Sequence, residues 1–453
     1  MLTLAEVLKV TQGKLLNSFE KRSFSGVCTD SRSLKKNGLF IAIKGDRFDG
    51  HDFIAEVIKK GAGGIIVSKD VLVTDDVPIV KVKDTIKALG YLALFHRTKF
   101  HIPVIAITGS AGKTTTKEML AHVLSSGLKV LKNHKTENNH MGVPQTLLRL
   151  NSQHQAIVIE VGTNQKGDIR WLTEIVEPTM AVYTNIGDSH LLGLKDRNGV
   201  FKEKYDLVKY MKGKGRVIFN ADNTYLRRIG QKKISHKKIS YGIENQADIK
   251  AREVSLDKKG RTHFLLSKIE FILDTPAKHN VYNALAVIAC AKELNIGIDI
   301  IEKRLKKFRF TNGRCEIKMI GQYQVIDDTY NANPLSLSSA ISTLDSMTVR
   351  GRKILVCGDM LELGTRSKIL HEQMGDLIAK TGIDLLLTIG DQAKFIALRL
   401  RRINPEFSVF HCRDLDEIYQ RLSVFCRPQD TLLFKGSRGM KMERAVELLK
   451  GLG

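Results

Sequence analysis

The residues best suited to chemistry form one short run, Thr108-Gly109-Ser110-Ala111-Gly112-Lys113-Thr114-Thr115. They follow the apolar run VIAIT after Pro103 and open a helix expected from Thr114 to about Ser125. Glycines let successive backbone N–H groups turn toward phosphate oxygens, and a helix N-terminus adds its positive end. Lys113 can reach the outer phosphates of a nucleotide, and Thr114 or Thr115 can offer a hydroxyl to Mg²⁺. The common phosphate-loop pattern places about four residues between its glycines; here there are two. The order strand, loop, Lys-Thr, helix is kept, so nucleotide binding is the expectation and an incidental Gly/Ser turn the alternative. The loop alone does not specify a reaction.

Further candidates sit where strands should end, the place at which open α/β sheets gather ligands. Glu160 interrupts the apolar strand AIVIEVG. A buried carboxylate is costly unless it meets a cation, and nucleotide-bound Mg²⁺ is one; an ordinary strand-end carboxylate is the other reading. His190, in TNIGDSH, follows a second strand end and could equally be a surface-loop histidine. Lys204 lies among other lysines in FKEKYDLVKYMKGKG, where spacing alone describes a solvated helix face. Three polar clusters follow: His279-Asn280-Val281-Tyr282-Asn283, Asn312-Gly313-Arg314, and Asp327-Asp328-Thr329-Tyr330-Asn331-Ala332-Asn333-Pro334. Such clusters commonly make turns and helix caps, although Asp328, behind the apolar strand Tyr323–Ile326, is better placed to meet a ligand.

The elements that must position these residues alternate between strand-like and helix-like throughout, which predicts α/β layers. The 453 residues divide into three blocks. Residues 1–100 carry short strands (Gly38–Ile43, Gly64–Val67, Ile79–Val82) and helical pieces (Asp52–Lys60, Asp84–Lys99). The chain opens on a helix, with Thr3 as cap and Glu6 three residues on. Residues 101–312 hold the phosphate loop, buried-strand candidates at Ala156–Val161, Met180–Thr184 and Arg216–Phe219, and a helix over Asn280–Leu294. Residues 313–453 carry strands at Lys353–Cys357, Leu385–Ile389 and Thr431–Phe434 between helices, the rhythm of an open parallel sheet.

Composition narrows the class. Hydrophobic residues make up 43% and charged residues 26%, which suits several globular cores. No apolar run approaches the roughly 20 residues that a membrane span needs, and the N-terminus has no signal-like pattern; a cytoplasmic protein is expected. The six cysteines show no Cys-x-x-Cys spacing and are expected as reduced thiols. Lys+Arg exceed Asp+Glu by 72 to 48, a formal charge of +24 that attracts anions. The basic residues are spread thinly, and aromatics are 6% with one tryptophan, Trp171, which leaves little for stacking bases; no nucleic-acid partner is expected.

Taken in order, TGSAGKTT, IEVG, the His190 loop, Lys204, HNVYNALA, NGRCE and DDTYNANP resemble the Mur ligase family of peptidoglycan synthesis, over essentially the whole chain. VCGDMLELG at Val356–Gly364 followed by His371, DDTYNANP, and an N-terminal block with TDSR (Thr29–Arg32) and KGDRFDGHDF (Lys44–Phe53) resemble the member that acts on UDP-N-acetylmuramoyl-tripeptide and D-alanyl-D-alanine. The resemblance implies three α/β domains: an N-terminal UDP-sugar-binding domain, a central P-loop ATPase-like parallel-sheet domain and a C-terminal Rossmann-like domain. It implies ATP and two Mg²⁺ ions, with ATP phosphates on Gly109–Thr115. Thr114 and Glu160 would hold one metal, and His190 with a carbamylated Lys204 the other. Lys113, Lys204 and His190 would be catalytic. Asn283, Arg314 and Asp328 would hold adenine, phosphate and ribose. Substrate contacts would come from Ser31, Arg32, Lys44, Gly45, Asp49, Gly50, His51, Asn138, Asn139, Tyr330, Asn331 and Asn333. The implied reaction is ATP-dependent amide formation through an acyl phosphate, by a monomer. GDSHLLG has Leu192 where an acidic residue often follows in the family.

Three other readings make different demands on the sequence. A sister ligase that adds the third amino acid to the UDP-linked dipeptide would carry an Asp-Asn-Pro-type motif in the last block; NANP at Asn331–Pro334 is a different motif. Folylpolyglutamate synthases reach the phosphate loop without a UDP-sugar domain before it. A basic P-loop ATPase that binds nucleic acid would show steep salt dependence, and the low aromatic content speaks against it.

Overall fold

The computed structural model describes residues 2–20, 22–72, 76–134, 137–310 and 313–451. Asn312 of the NGR motif therefore lies outside the described residues. Each of the three larger sheets is drawn from one continuous stretch of chain.

The first sheet orders Lys14–Leu15, Ile79–Lys81, Gly64–Val67, Leu39–Ile41 and Val27–Cys28, all parallel except the first pair. Ahead of it, the expected cap forms: Thr3 Oγ accepts the Glu6 N–H at 3.2 Å, and Glu6 Oε2 accepts the Thr3 N–H at 2.8 Å. The helix Thr85–Arg97 is the strut between first and second units. Its Leu89 and Leu92 fill the first core, while Ala93 belongs to the second and Tyr91 packs edge-on against Trp171 with ring centroids 5.3 Å apart.

The second sheet orders Ile269–Leu273, Thr262–Leu266, Ile249–Leu256, Lys237–Gly242, Arg216–Asn220, Met180–Tyr183, Val104–Thr108, Ala156–Glu160 and Val130–Lys132. Its central strands are parallel and buried on both faces, which is why they read as unbroken apolar runs. Strand alternation divides the residues: Ile105 and Ile107 pack with Met119, Leu120 and Val281, whereas Val104 and Ala106 pack with Ile169, Leu172 and Val200. Each of the Val, Leu, Ile and Met side chains among them contributes about 1.5–3 kcal/mol by burial. The helix His279–Glu293 is apolar nearly all round and correspondingly buried. The sequence reading did not anticipate the antiparallel ribbon at 249–273, which extends this sheet at one edge.

The third sheet orders Glu316–Ile320, Tyr323–Asp328, Thr431–Lys435, Lys353–Gly358, Leu385–Ile389 and Ser408–Cys412; only its first pair is antiparallel. The six cysteines are free. Among the described residues no helix is long and apolar enough to cross a membrane.

Candidate active site

The phosphate loop leaves the carboxyl end of Val104–Thr108, between strands that return on either side of it. This is the switch point at which an open parallel sheet makes a crevice. Two glycines let the loop turn. Gly109 has φ +151°, and a Cβ there would lie 1.9 Å from Thr184 Oγ1; Gly112 has φ +79°, and a Cβ there would lie 2.5 Å from Asn283 Oδ1. Only glycine fits such closeness with positive φ. The loop is braced by the strand next door. Asn185 Oδ1 accepts the Ala111 N–H at 2.8 Å, and the Asn185 carbonyl accepts the Ser110 N–H at 3.0 Å. Ser110 Oγ donates to the Gly187 carbonyl at 3.1 Å.

Lys113 begins the helix Lys113–Leu124 and folds back, its Nζ donating to the Gly109 carbonyl at 3.0 Å. Burial holds its amine below the ordinary lysine range. Thr114 Oγ1 donates to Glu160 Oε2 at 2.5 Å, and Asn138 Nδ2 donates to Glu160 Oε1 at 2.8 Å. Glu160 is 2% exposed. Its backbone is fixed by Asn133, which exchanges bonds of 3.0 Å with both its N–H and its carbonyl. Thr115 is half-buried on the same first turn.

Lys204 overturns its sequence context. Instead of facing solvent from the helix Arg197–Lys209, it is fully buried, and its Nζ has no hydrogen-bond partner among the described residues. Burial, aided by the nearby Lys113 charge, pushes its amine well below the lysine range. The adjacent Glu203 does not neutralise it by contact. Glu203 instead accepts the Gly167 and Ile169 N–H groups, each at 2.8 Å.

His190 sits at φ +53°. Burial lowers its pKa, and the Lys204 and Lys113 charges act in the same direction, so these groups share one electrostatic neighbourhood. Its Nδ1 lies 2.7 Å from Oε2 of Glu362, a residue of the third unit that lies within VCGDMLELG and is not among the expected site residues.

The polar clusters converge on the same loop. Asn283 Oδ1 accepts from Thr116 Oγ1 at 3.2 Å, directly under Gly112. The Arg314 guanidinium stacks 3.8 Å from the Tyr330 ring centroid. Asp328 Oδ2 pairs with Lys435 Nζ at 2.5 Å, and Lys435 also donates to the Asn331 carbonyl at 3.0 Å. Asn331 Oδ1 accepts the Arg438 N–H at 3.1 Å, and Asn333 Nδ2 reaches across to the Ser110 carbonyl at 3.0 Å. Lys435 was missed, although a buried lysine ending the apolar strand Thr431–Lys435 carries the same signal that singled out Glu160.

The N-terminal candidates form a group of their own. Arg32 is exposed and forks onto Asp30. Ser31 is buried, and its carbonyl accepts from Lys60 Nζ at 3.1 Å. Lys44 and Gly45 lie in an exposed loop. At the end of that loop, Asp49 Oδ1 lies 2.6 Å from His51 Nδ1, while His51 Nε2 accepts the Ser68 N–H at 3.0 Å. Both ring nitrogens of His51 are thus used inside the domain. Gly50 approaches the 42–43 backbone, where a Cβ would lie 2.6 Å from Ile43 N. Asn139 differs from its neighbour Asn138: its Oδ1 accepts the Met141 and Gly142 N–H groups at 3.1 and 3.0 Å, at the start of the helix Gly142–Leu148.

Three family models match the chain: Mur ligase family, catalytic domain, over residues 23–97; Mur ligase middle domain over 107–291; and Mur ligase, glutamate ligase domain, over 313–438. The chain is similar to the UDP-N-acetylmuramoyl-tripeptide--D-alanyl-D-alanine ligase of Bacillus subtilis (strain 168), with 34% identity over 98% of this chain and 97% of the relative. It is equally similar to the enzyme of that name from Escherichia coli (strain K12), 34% identical over 100% and 99% of the two chains. Among solved structures it resembles MurF from Acinetobacter baumannii, with a TM-score of 0.90, 31% identity and 98% of each chain covered. It also resembles MurF from Thermotoga maritima in complex with ADP, with a TM-score of 0.84, 27% identity, and 94% of this chain and 97% of that one covered.

Proposed function

The chain belongs to the Mur ligase family, and from that premise we propose that it joins D-alanyl-D-alanine to UDP-N-acetylmuramoyl-tripeptide at the expense of ATP. The observation that carries this reading is the meeting of Lys113, Glu160, His190 and Lys204 at one crevice, onto which the DDTYNANP loop closes through Asn333. In this reading residues 1–100 hold the UDP-sugar, 101–312 the ATP and 313–453 the incoming dipeptide. The enzyme works in the cytoplasm as a monomer.

The donor set fits Mg²⁺ on one condition. No group of three or more His, Cys, Asp or Glu side chains that could hold a metal occurs among the described residues. A metal here would take most of its oxygens from phosphate and water, as Mg²⁺ commonly does. Thr114 and Glu160 would hold one ion, His190 and Lys204 the second. Bound Mg²⁺ would neutralise phosphoryl oxygens and so ease attack on the γ-phosphorus.

Lys204 fits only after modification. Burial holds the Lys204 amine well below the lysine range, which favours its uncharged form, and an uncharged amine is a nucleophile toward CO₂, forming an N–C bond as a C–O π bond opens and releasing a proton. The carbamate replaces an amine that has no hydrogen-bond partner among the described residues with an anion that a metal can use. Lys113 would meet the outer phosphates in place of its present carbonyl partner. Arg314, held on Tyr330, would meet phosphate, and Asp328, held by Lys435, the ribose. Asn283, under Gly112, would meet adenine. Asn138 holds Glu160, and Asn139 shapes the adjoining turn. Ser31, Arg32 and the 44–51 loop would receive the UDP-sugar, with Asp49 and His51 setting the loop's shape. Tyr330, Asn331 and Asn333 would line the junction where the two substrates meet.

ATP makes amide formation possible because hydroxide is a poor leaving group. The tripeptide carboxylate attacks the γ-phosphorus in line as the bond to ADP breaks, giving an acyl phosphate. The dipeptide amine then attacks the acyl carbon, loses a proton, and phosphate departs. Closure of the third unit keeps water from the acyl phosphate.

The test is phosphate release from Mg-ATP with UDP-N-acetylmuramoyl-tripeptide, with and without D-alanyl-D-alanine. Release that needs both, with the pentapeptide product identified by mass, is the expected result. Release that instead needs the UDP-dipeptide and a single amino acid would reassign the chain to the sister reaction.

A further inference from the structure

His190 is joined to the third unit by a contact that the family motifs do not explain. Its Nδ1 lies 2.7 Å from Glu362 Oε2, and the Leu192 N–H donates to the Glu362 carbonyl at 3.1 Å. Both partners are backbone exceptions. His190 has φ +53° and Glu362 has φ +63°, in the left-handed region that costs a non-glycine residue of order 1 kcal/mol or more. Two such residues from different domains, bonded to each other, are worth that strain only if the side-chain contact has a use. A glycine at 362 would relieve the backbone and lose nothing but the carboxylate.

An ionised carboxylate beside Nδ1 requires that nitrogen to carry the proton, which fixes the tautomer and leaves the Nε2 lone pair for a cation. Histidines that bind metals commonly have such a carboxylate behind them, which orients the ring and raises its basicity. Beside the contact runs a second, separate bridge. Asp188, with its side chain fully buried, accepts from Arg197 of the Lys204 helix at 2.6 Å and from Arg366 of the third unit at 3.3 Å. The Arg366 bridge ties the same two domains without touching His190.

Resting on the assignment of His190 as a metal ligand, we infer that Glu362 is a positioning residue supplied across the domain interface. It completes the His190 metal site only when the third unit closes on the second. Metal binding and closure are then one event, and the chemistry cannot start in the open enzyme.

The experiment is Mn²⁺ titration followed by electron paramagnetic resonance, on the full chain with ADP and UDP-N-acetylmuramoyl-tripeptide. Glu362→Gly should weaken the Mn²⁺ site that His190→Ala removes by about 10–100-fold, while its melting temperature stays at or above wild type. Glu362→Gln should recover most of that affinity, because the amide oxygen can accept the same N–H. Arg366→Ala loosens the interface alone and should change Mn²⁺ affinity by less than about threefold. Wild-type Mn²⁺ affinity in Glu362→Gly, or equal losses in Glu362→Gly and Arg366→Ala, would overturn the inference. Unchanged affinity in His190→Ala would remove the metal role of His190 and this inference with it, so the two failures are distinguishable.

Discussion

Lys204 shows how far a residue's role can lie from its local sequence. Its neighbours Lys202, Lys209, Lys212 and Lys214 describe a solvated face, yet Lys204 is fully buried and its amine has no hydrogen-bond partner among the described residues. Helical spacing cannot reveal this, because the charged groups that meet around Lys204, Lys113 and Glu160 among them, come from parts of the chain distant in sequence; only the family resemblance singled it out. With ¹³C-bicarbonate the wild type should give a carbamate carbon signal that Lys204→Ala lacks, and the variant should lose at least about 100-fold in kcat. An active enzyme with no such signal removes the carbamate. Glu362 was still harder to read, since its partner lies 172 residues away. His279 belongs to the HNVYNALA motif, but spacing does not show that its Nδ1 is buried with no hydrogen-bond partner among the described residues. Burial pushes its pKa from 6.5 down to about 4. The unfolded chain therefore binds the extra proton first. Stability present above pH 6.5 is lost as pH falls from 6.5 toward 4, by about 3 kcal/mol in all. His279→Asn should show a shallower fall in unfolding free energy between about pH 7 and pH 4.5. Parallel falls in the two proteins would assign the acid sensitivity to other groups.

At the scale of elements, the sequence was most legible where one physical rule acts alone. The buried parallel strands Gly64–Val67 and Leu385–Ile389 stand where their apolar runs put them, and the Thr3–Glu6 cap forms as its spacing requires. The ribbon at 249–273 was not legible, because its strands are only partly buried and leave no continuous buried run. Helix caps hid a functional contact in the same way. Asn333 caps the helix Pro334–Ser346 by accepting the Ser336 N–H at 2.9 Å, the ordinary role of such a residue. Its other atom, Nδ2, bonds the phosphate-loop carbonyl of Ser110. The two roles can be separated. Asn333→Ala loses both and should cost about 1 kcal/mol of stability through the cap, along with a higher KM for ATP. Asn333→Ser keeps a capping oxygen but cannot reach the loop, so stability should stay near wild type while KM rises as in the alanine variant. If KM for ATP is unchanged in the serine variant, the bond to Ser110 is an incidental contact.

At the scale of the whole molecule, the charge of +24 has no counterpart in any single site. Many of the 72 Lys and Arg side chains are engaged in local pairs, such as Arg352 with Asp430 and Arg216 with Glu293, and the excess of 24 is what no acidic residue offsets. That excess makes a long-range field, which acts on a ligand according to the ligand's charge. The two proposed substrates differ in this respect. The UDP-linked tripeptide carries a diphosphate and peptide carboxylates, whereas the dipeptide is a zwitterion without net charge. Screening shortens the field's reach to about 8 Å at physiological ionic strength and further above it. Raising salt from about 0.05 to 0.5 M should therefore lower kcat/KM for the UDP-tripeptide on the order of tenfold. Under the same conditions KM for D-alanyl-D-alanine should move by less than about twofold. Closure gives salt a second point of attack, through the Arg366–Asp188 ion pair, but weakening it would lower kcat and raise KM for both substrates together. Initial rates with each substrate varied at fixed saturation of the other separate the two effects. A selective loss for the UDP-substrate assigns the basic surface to its capture, and an equal loss for both assigns the salt sensitivity to the domain interface instead.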